Sequence, residues 1–205
     1  MKYLAIDTSG TYLTVVASDG DKKSVGYKEN CALNHSVALM GEIENALAEI
    51  DAKPSDIDVF ACSVGAGSFT GIRIGVSTVK AFAYALNKKV LGVTSFQSLA
   101  YSVEDRVKKL TLISARHGNY YAAGFDENGE VILPPFFATA DKINEIKSGY
   151  LVIADEDLDG IGAVKADVVK GFIKAVEANL CKATANDEVL VPLYVKKSQA
   201  EEERC

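Results

Sequence analysis

Apolar and polar residues follow two different rhythms over the first hundred residues, which separates strands from helices. Residues 11–18 alternate as a strand does, and Asp19–Gly20 is a hairpin turn signal before the next strand. Residues 35–50 instead repeat apolar residues every three or four positions, as an amphipathic helix does. The elements predicted in this half are strands over 2–9, 11–18, 22–29, 59–64 and 90–93, and helices over 35–50 (capped by Asn34), over 71–87 and from Ser95.

The order of these elements is that of a ribonuclease H-like half-domain. Such a unit has three antiparallel strands, followed by helix, strand, helix and strand. A charged run over 104–109 is a plausible boundary, so we predict domains over 1–105 and 106–205. The second is a smaller α/β unit, with strands predicted over 110–115, 120–126, 131–134 and 150–154, and helices from Thr139 and over about 167–180.

The predicted helix over 71–87 is apolar over an unusually wide arc. Its polar positions form one narrow stripe: Arg73, Ser77, Lys80 and Tyr84. A surface helix needs an apolar arc of only about 100°. Gly71 and Gly75, one helical turn apart, would let another backbone approach closely. The helix should therefore be covered on more than its sheet-facing side, either by the other domain of this chain or by another subunit.

The run "GAGSFTGIRIG" over 65–75 joins a predicted strand to this helix. No Gly-Lys-Ser/Thr follows it, and its glycine spacing does not match G-x-G-x-x-G. Free amides at the start of a helix can still hold an anion. The residues of this possible anion site or vestigial nucleotide loop are Asp7, Thr8, Ser9, Gly67, Ser68, Thr70 and Gly71.

Acidic residues give little support for metal chemistry. Asp7 ends the first strand, but metal-assisted catalysis needs a second carboxylate at the same edge, and the strand ends near 63–65 and 114–116 carry none. We interpret Asp7 as a turn-former that bonds its own backbone. Residues 155–160 imitate the start of a calcium loop, but Ala166 replaces the twelfth-position glutamate. We expect a solvated acidic loop there and no metal site.

Composition narrows the remaining function classes. The formal net charge of −6 opposes unaided binding to nucleic acid. The four cysteines, which form no CxxC pair, are Cys31, Cys62, Cys181 and Cys205. Because the sequence has only two histidines, it specifies neither a zinc site nor a Cys-His nucleophile. We expect reduced thiols in a cytoplasmic protein with neither a signal peptide nor a membrane span.

Long motifs resemble those of the TsaB family, also called YeaZ. The matching stretches are "LAIDTS" from residue 4, "NHS" from 34, residues 65–86, "GVTSFQSLA" from 92, "SARHGNYYAAGFD" from 114 and "VPLYVKKSQAEEE" from 191. The resemblance implies an actin-like ATPase (ASKHA) fold of two ribonuclease H-like domains, the second reduced. It also implies a non-catalytic role, without a cofactor, in forming N6-threonylcarbamoyladenosine at position 37 of tRNAs that read ANN codons.

The resemblance further implies partners. They are a TsaD-type catalytic subunit and a TsaE-type ATPase, with tRNA contacted only through the complex and a homodimer formed when the chain is alone. Family members pair through their first two helices, here 34–50 and 71–87. The residues expected at this interface are Leu39, Met40, Ile43, Leu47, Arg73, Ile74, Ser77, Lys80, Ala81 and Tyr84.

Departures from the family pattern also bear on function. Ala66 replaces a common proline, and residues 114–121 lack the two acids usual there. His35 is followed four positions later by Leu39, so the histidine pair that holds a metal in the catalytic relative is absent. Two alternatives stay open: an actin-like phosphotransferase that uses Asp7 and the glycine run, and a peptidase.

Overall fold

All the strands and helices predicted above are present in the computed structural model of the chain, which describes residues 1–115, 117–158 and 160–196. The strands are β1 Tyr3–Asp7, β2 Leu13–Ser18, β3 Lys23–Lys28, β4 Val59–Ser63, β5 Lys89–Val93, β6 Lys109–Ser114, β7 Asn119–Phe125, β8 Val131–Thr139, β9 Leu151–Ala154 and β10 Val164–Lys165. The helices are α1 His35–Glu49, α2 Phe69–Leu86, α3 Ser95–Tyr101, α4 Ala140–Ile146 and α5 Val168–Asn179. Single 3-10 turns lie at Pro54–Asp56, Leu180–Lys182 and Asp187–Val189. Only the two-residue β10 and these turns were not anticipated.

The strands form two five-stranded sheets of the same topology. The first has the order β3-β2-β1-β4-β5, and the second, read in the same sense, has β8-β7-β6-β9-β10. In each sheet the central strand pairs antiparallel with the next strand and parallel with the fourth. The second unit is reduced, because β10 is only two residues long and no helix lies between β9 and β10 in the described residues. The predicted fold class is therefore confirmed.

The first sheet is buried on both faces. Side chains of α1 and α2, such as Ile43 and Ile72, pack on one face together with Leu4 of β1. Phe172 and Val176 of α5 pack on the other face. Every residue of β2 is therefore buried, although its sequence alternates as a half-exposed strand does. The division of the chain between residues 105 and 106 stays a prediction.

The two cores are joined by the segment that follows α5. Thr184 pairs with Val90 at the outer edge of β5, and the Leu193 amide donates to the Val64 carbonyl oxygen at 2.7 Å. Leu193 and Val195 then pack against a cluster that includes Ile113 of the second sheet. Within the part of the chain that the structure describes, no helix has the length and apolarity that crossing a membrane requires.

Hydrogen bonds at the helix starts explain where α2 begins. The Ser68 hydroxyl accepts from the Gly71 amide at 3.2 Å, so α2 starts at Phe69, two residues before the predicted start. Asn34 does precede α1, but its side chain makes no capping hydrogen bond. Asn34 is therefore the N-cap residue of α1, as predicted, but it does not stabilise the helix start through its side chain.

Candidate functional site

The glycine run packs directly against the segment that follows β1. A Cβ on Gly71 would overlap the Thr8 carbonyl oxygen, and a Cβ on Gly67 would overlap the Ser9 carbonyl oxygen. The Ser68 amide donates to that same Ser9 carbonyl at 2.7 Å, and the Thr8 hydroxyl donates to the Gly71 carbonyl at 2.7 Å. The glycines therefore allow two backbone segments to touch.

This packing brings together most of the residues predicted for the anion loop. Thr70 lies in the first turn of α2 and is exposed, as are Gly67 and Ser68. The Gly71 amide donates a hydrogen bond to the Ser68 hydroxyl, and the Ser68 amide donates one to the Ser9 carbonyl oxygen. An anion at this loop stays a prediction, and the observed use of these groups is structural.

Asp7 ends β1 with a carboxylate that is 1% exposed. Its Oδ1 accepts hydrogen bonds from the Ser9 amide at 2.8 Å and the Ser9 hydroxyl at 2.6 Å, which confirms the predicted local turn. Its Oδ2 has no hydrogen-bond partner among the described residues. Burial raises the pKa of Asp7 above its ordinary value, and the bonds from Ser9 offset part of this effect.

Three buried serine hydroxyls meet beside Asp7. Ser63 and Ser95 each donate to the Ser9 hydroxyl, at 3.2 and 3.0 Å, and Ser9 in turn donates to Asp7. Ser9 follows β1, Ser63 ends β4 and Ser95 follows β5, so the cluster forms where three neighbouring strands end. The sequence analysis did not identify this cluster, because serines at separate strand ends form no motif.

A second carboxylate, Asp155, follows β9 of the second sheet. It lines a small cleft between the two sheets, together with Ser9 and Tyr12. The pKa of Asp155 is raised to about 6, mainly by burial and with smaller contributions from the negative charges of Glu156 and Asp7. Its Oδ1 is buried without a hydrogen-bond partner in the described structure. The predicted solvated loop over 155–160 is confirmed at Glu156, Asp157 and Gly160, which are exposed, whereas Asp155 is only half-buried and has one buried carboxylate oxygen. Asp159 lies outside the described residues.

The position of Asp155 follows from the topology. In the second sheet β9 occupies the place that β4 occupies in the first, next to the central strand. The ends of β4 and β6 carry no acid, whereas the end of β9 is followed directly by Asp155. The pattern "YLVIA" followed by an acid was the signal that could have identified this second carboxylate.

The cleft between the sheets is small, with a volume of about 20 Å³. Ser9, Tyr12, Ser95 and Asp155 are among the side chains that line it. Burial raises the pKa of Tyr12 well above its ordinary value, and the charges of Asp7 and Asp155 add to this effect. These three ionisable groups are therefore close enough to influence one another.

One face of α2 lies open to solvent. The inner face of α2 packs into the core through Ile72, Val76 and Val79. The residues exposed on its outer face are Arg73, Ser77, Ala81 and Tyr84, and those half-buried at its borders are Ile74 and Lys80. Tyr84 is 87% exposed. The rest of this chain therefore covers the inner face of α2 and leaves its apolar outer face exposed to solvent.

The α1 part of the predicted interface requires a correction. Leu39, Ile43 and Leu47 are buried in the core between α1 and the first sheet, so their side chains are not available to a partner. The exposed apolar residues of this helix are instead Val37, which is 80% exposed, and Met40, which is 48% exposed. Helical periodicity identified the apolar face correctly, but this chain uses that face for its own core.

Arg73 is held in place at the start of this face. Its guanidinium carbon lies 3.8 Å from the centre of the Phe69 ring, and its Nε donates to the Tyr194 hydroxyl at 2.9 Å. The Phe69 and Tyr194 rings stack with centres 4.7 Å apart. The segment after α5 therefore contributes to the surface beside α2.

The cysteines offer no activated nucleophile among the described residues. Cys62 and Cys31 are buried, and burial raises the pKa of the Cys62 thiol far above its ordinary value. Cys181 is exposed, and Cys205 lies outside the described residues. No group of three or more His, Cys, Asp and Glu side chains in residues 1–115, 117–158 and 160–196 could hold a metal ion.

Two ribonuclease H-like sheets that meet at a cleft define an actin-like α/β protein. The family model described as TsaD, tRNA N6-adenosine threonylcarbamoyltransferase, matches residues 28–154, which is more than half of the chain. The chain therefore belongs to this family. Its curated relatives include TsaB proteins and a tRNA N6-adenosine threonylcarbamoyltransferase.

Three of these relatives are named tRNA threonylcarbamoyladenosine biosynthesis protein TsaB. The protein from Bacillus subtilis is 35% identical over 49% of this chain and 44% of its own length. The protein from Escherichia coli is 31% identical over 63% and 58%, and that from Buchnera aphidicola is 27% identical over 74% and 77%. The matched segment therefore spans less than two thirds of the length of the Bacillus subtilis and Escherichia coli proteins.

Solved structures show the same fold. YeaZ from Pseudomonas aeruginosa is 21% identical and superposes with a TM-score of 0.76 over 94% of this chain and 99% of that chain. A Pseudomonas aeruginosa protein described as similar to peptidase YEAZ gives a TM-score of 0.78 at 20% identity, over 95% and 99%.

Proposed function

We propose that this chain is a non-catalytic subunit in the formation of N6-threonylcarbamoyladenosine on tRNA, and that it acts by pairing with a TsaD-type catalytic subunit. Family membership supports the pathway. The observation that carries the subunit role is the solvent-exposed face of α1 and α2, with Val37, Met40, Ala81 and Tyr84. We call this surface the helix-pair face.

The composition of the helix-pair face supports binding to a protein. Tyrosine and arginine are enriched among the residues that dominate binding energy at interfaces. Tyr84 on this face is exposed, and Arg73 is fixed by its contact with the Phe69 ring and its hydrogen bond to the Tyr194 hydroxyl. Little side-chain freedom is therefore lost when Arg73 is buried. Without a partner, two copies of the chain would cover the same surfaces and form a homodimer.

The size of the cleft disfavours the phosphotransferase alternative. Pockets for small molecules and cofactors have volumes of about 300–1,000 Å³, whereas the cleft between the sheets measures about 20 Å³. The glycine run is also packed against Thr8 and Ser9. Both observations support a role that does not involve turnover of a nucleotide.

The rest of the complex follows from the same proposal. A TsaE-type ATPase would join the pair, and the modified base would be the adenosine at position 37 of tRNAs that read ANN codons. With a net charge of −6, this chain would contact tRNA only through its partners, in the cytoplasm.

Depletion of the protein tests the pathway. We expect the modified adenosine to disappear from digested total tRNA, as measured by mass spectrometry, and to return when the wild-type gene is restored. Purification of the tagged chain from its own cells should also recover a larger actin-like protein. Unchanged modification after complete depletion would refute the proposed function.

Charged substitutions on the helix-pair face test the pairing. Val37→Glu and Tyr84→Glu should each weaken association at least about 30-fold, because a charge would be buried in an apolar contact. Analytical ultracentrifugation reports the homodimer, and co-purification reports the heterodimer. Ile74→Glu is less suitable, because Ile74 also packs against the core.

Val131→Glu is the matched control for these variants. Val131 is an exposed valine on β8 of the second sheet, away from α1 and α2. This variant should associate as the wild type does. Normal association of folded Val37→Glu and Tyr84→Glu proteins would show that another surface meets the partner.

A further inference from the structure

The outer edge of the first sheet has an open hydrogen-bonding position at Gly92. β5 is the last strand at this edge, and its Val90 exchanges two hydrogen bonds with Thr184 of the segment after α5, at 2.8 and 3.1 Å. Gly92 lies two residues further along the strand, so its amide and carbonyl point outward as those of Val90 do. The Val93 carbonyl points inward instead and accepts from the Val64 amide at 2.8 Å. Among the described residues, nothing bonds to the outward groups of Gly92.

A groove with a volume of about 240 Å³ lies along this edge, and we call it the β5 groove. Gly92 lines it from the strand, Asn179 and Lys182 line it from the end of α5 and the turn that follows, and Val189 and Val191 line it from the segment beyond. The two valines are 60% and 61% exposed. An unpaired strand edge bordered by exposed apolar side chains is the arrangement to which another extended chain can add.

Two polar side chains set the chemistry of the groove. Asn179 is only 5% exposed and donates from Nδ2 to the Ala175 carbonyl oxygen at 2.8 Å, while its Oδ1 accepts no hydrogen bond in the part of the chain that the structure describes. Lys182 is the one charged residue that lines the groove within the described residues, and it makes no salt bridge with them. The two acids of the turn Asp187–Val189 do not line the groove. The groove is therefore complementary to a backbone amide and a carboxylate.

We propose that the β5 groove binds a short extended segment of a partner protein that carries apolar and acidic side chains. One residue of the segment pairs with the Gly92 backbone, as Thr184 of this chain pairs with Val90. A neighbouring apolar side chain covers the two exposed valines, and a carboxylate meets the Lys182 ammonium. None of the described residues that line the groove belongs to the helix-pair face, so the inference does not rest on the proposed tRNA-modification function.

Amide exchange in the free chain tests the open edge. In NMR spectra of the isotope-labelled protein, the Gly92 amide should exchange with water at least about tenfold faster than the Val90 amide, which donates to the Thr184 carbonyl oxygen. Equal protection of the two amides would mean that this chain or a second copy of it already covers the edge. That result would overturn the proposal.

A synthetic peptide that alternates valine and glutamate is the probe for the groove. On titration it should shift the Gly92 amide resonance and slow its exchange at least about tenfold. The same peptide with every backbone amide N-methylated should do neither, because it cannot donate to the Gly92 carbonyl. A peptide that alternates valine and lysine should bind about fivefold more weakly. Gly92 itself is left unchanged, since an added Cβ would lie 2.9 Å from Val64 and 3.0 Å from Leu190.

Lys182→Glu tests the charge preference, and Lys108→Glu is its matched control. Lys108 is an exposed lysine before β6 that does not line the groove. Lys182→Glu should reverse the preference, so that the lysine peptide binds more tightly than the glutamate peptide, whereas Lys108→Glu should keep the wild-type preference. No change at Gly92 with either peptide, or a change that persists after N-methylation, would refute strand addition. A preference that Lys182→Glu leaves unaltered would refute the acidic partner.

Discussion

Replacing Gly71 with alanine is expected to lower the free energy of unfolding by about 3 kcal/mol or more. The added Cβ would overlap the Thr8 carbonyl oxygen, which is a backbone atom and cannot move aside by a change of rotamer. The same carbonyl segment is fixed by the bond from the Ser68 amide to Ser9. To relieve the overlap, α2 must therefore shift away from β1.

Denaturant unfolding followed by circular dichroism measures this effect, and Gly41→Ala is its matched control. Gly41 lies exposed on α1 with nothing near the added Cβ, so alanine should stabilise the fold there by about 0.5–1 kcal/mol through helix propensity. For a chain of this size, a loss of 3 kcal/mol lowers the Tm by about 6–12 °C. A Gly71→Ala protein as stable as the wild type would mean that the contact between the loop and β1 is not as close as described.

The glycine run shows what a local sequence pattern can predict and what it cannot. Its place between β4 and α2 could be predicted, because strand, glycine-rich turn and helix are each marked by residues near one another in the chain. The partner of the turn could not be predicted in the same way. Gly67 and Gly71 approach Ser9 and Thr8, which lie about sixty residues earlier in the chain.

The two errors in the site have the same physical origin. Helical periodicity gives the apolar face of α1 but does not say whether that face meets the chain's own sheet or a partner, so Leu39 and Ile43 were assigned to the wrong surface. The residues near Asp155 were judged by their own polarity. Burial of Asp155 depends on the end of β9 facing β1 across the cleft, and that is a property of the whole fold.

Replacing Asp155 with asparagine should stabilise the protein at alkaline pH by about 2–3 kcal/mol. The pKa of Asp155 is raised to about 6 in the folded chain, from 3.8 for an ordinary aspartate. Above pH 6 the carboxylate is charged in both states, and only the folded state carries the cost of burying it. One unit of pKa corresponds to about 1.4 kcal/mol, which gives the expected size.

The sign of the pH dependence distinguishes this cause from a simple change in packing. Below pH 3.8 the carboxyl is protonated in both states, so the advantage of Asp155→Asn should be absent there and should grow as the pH rises through 6. Asp7, whose pKa is also raised by burial, is present in both proteins and adds a pH dependence of the same sign to each. Tm values from pH 4 to pH 8 measure the difference, with Asp157→Asn as the control.

A gain that is equal at pH 4 and pH 8 would assign the effect to packing rather than to charge. No gain at pH 8 would mean that solvent reaches Asp155 and that its carboxylate carries no burial cost. The pH profile thus tests the burial of the Asp155 carboxylate separately from its packing.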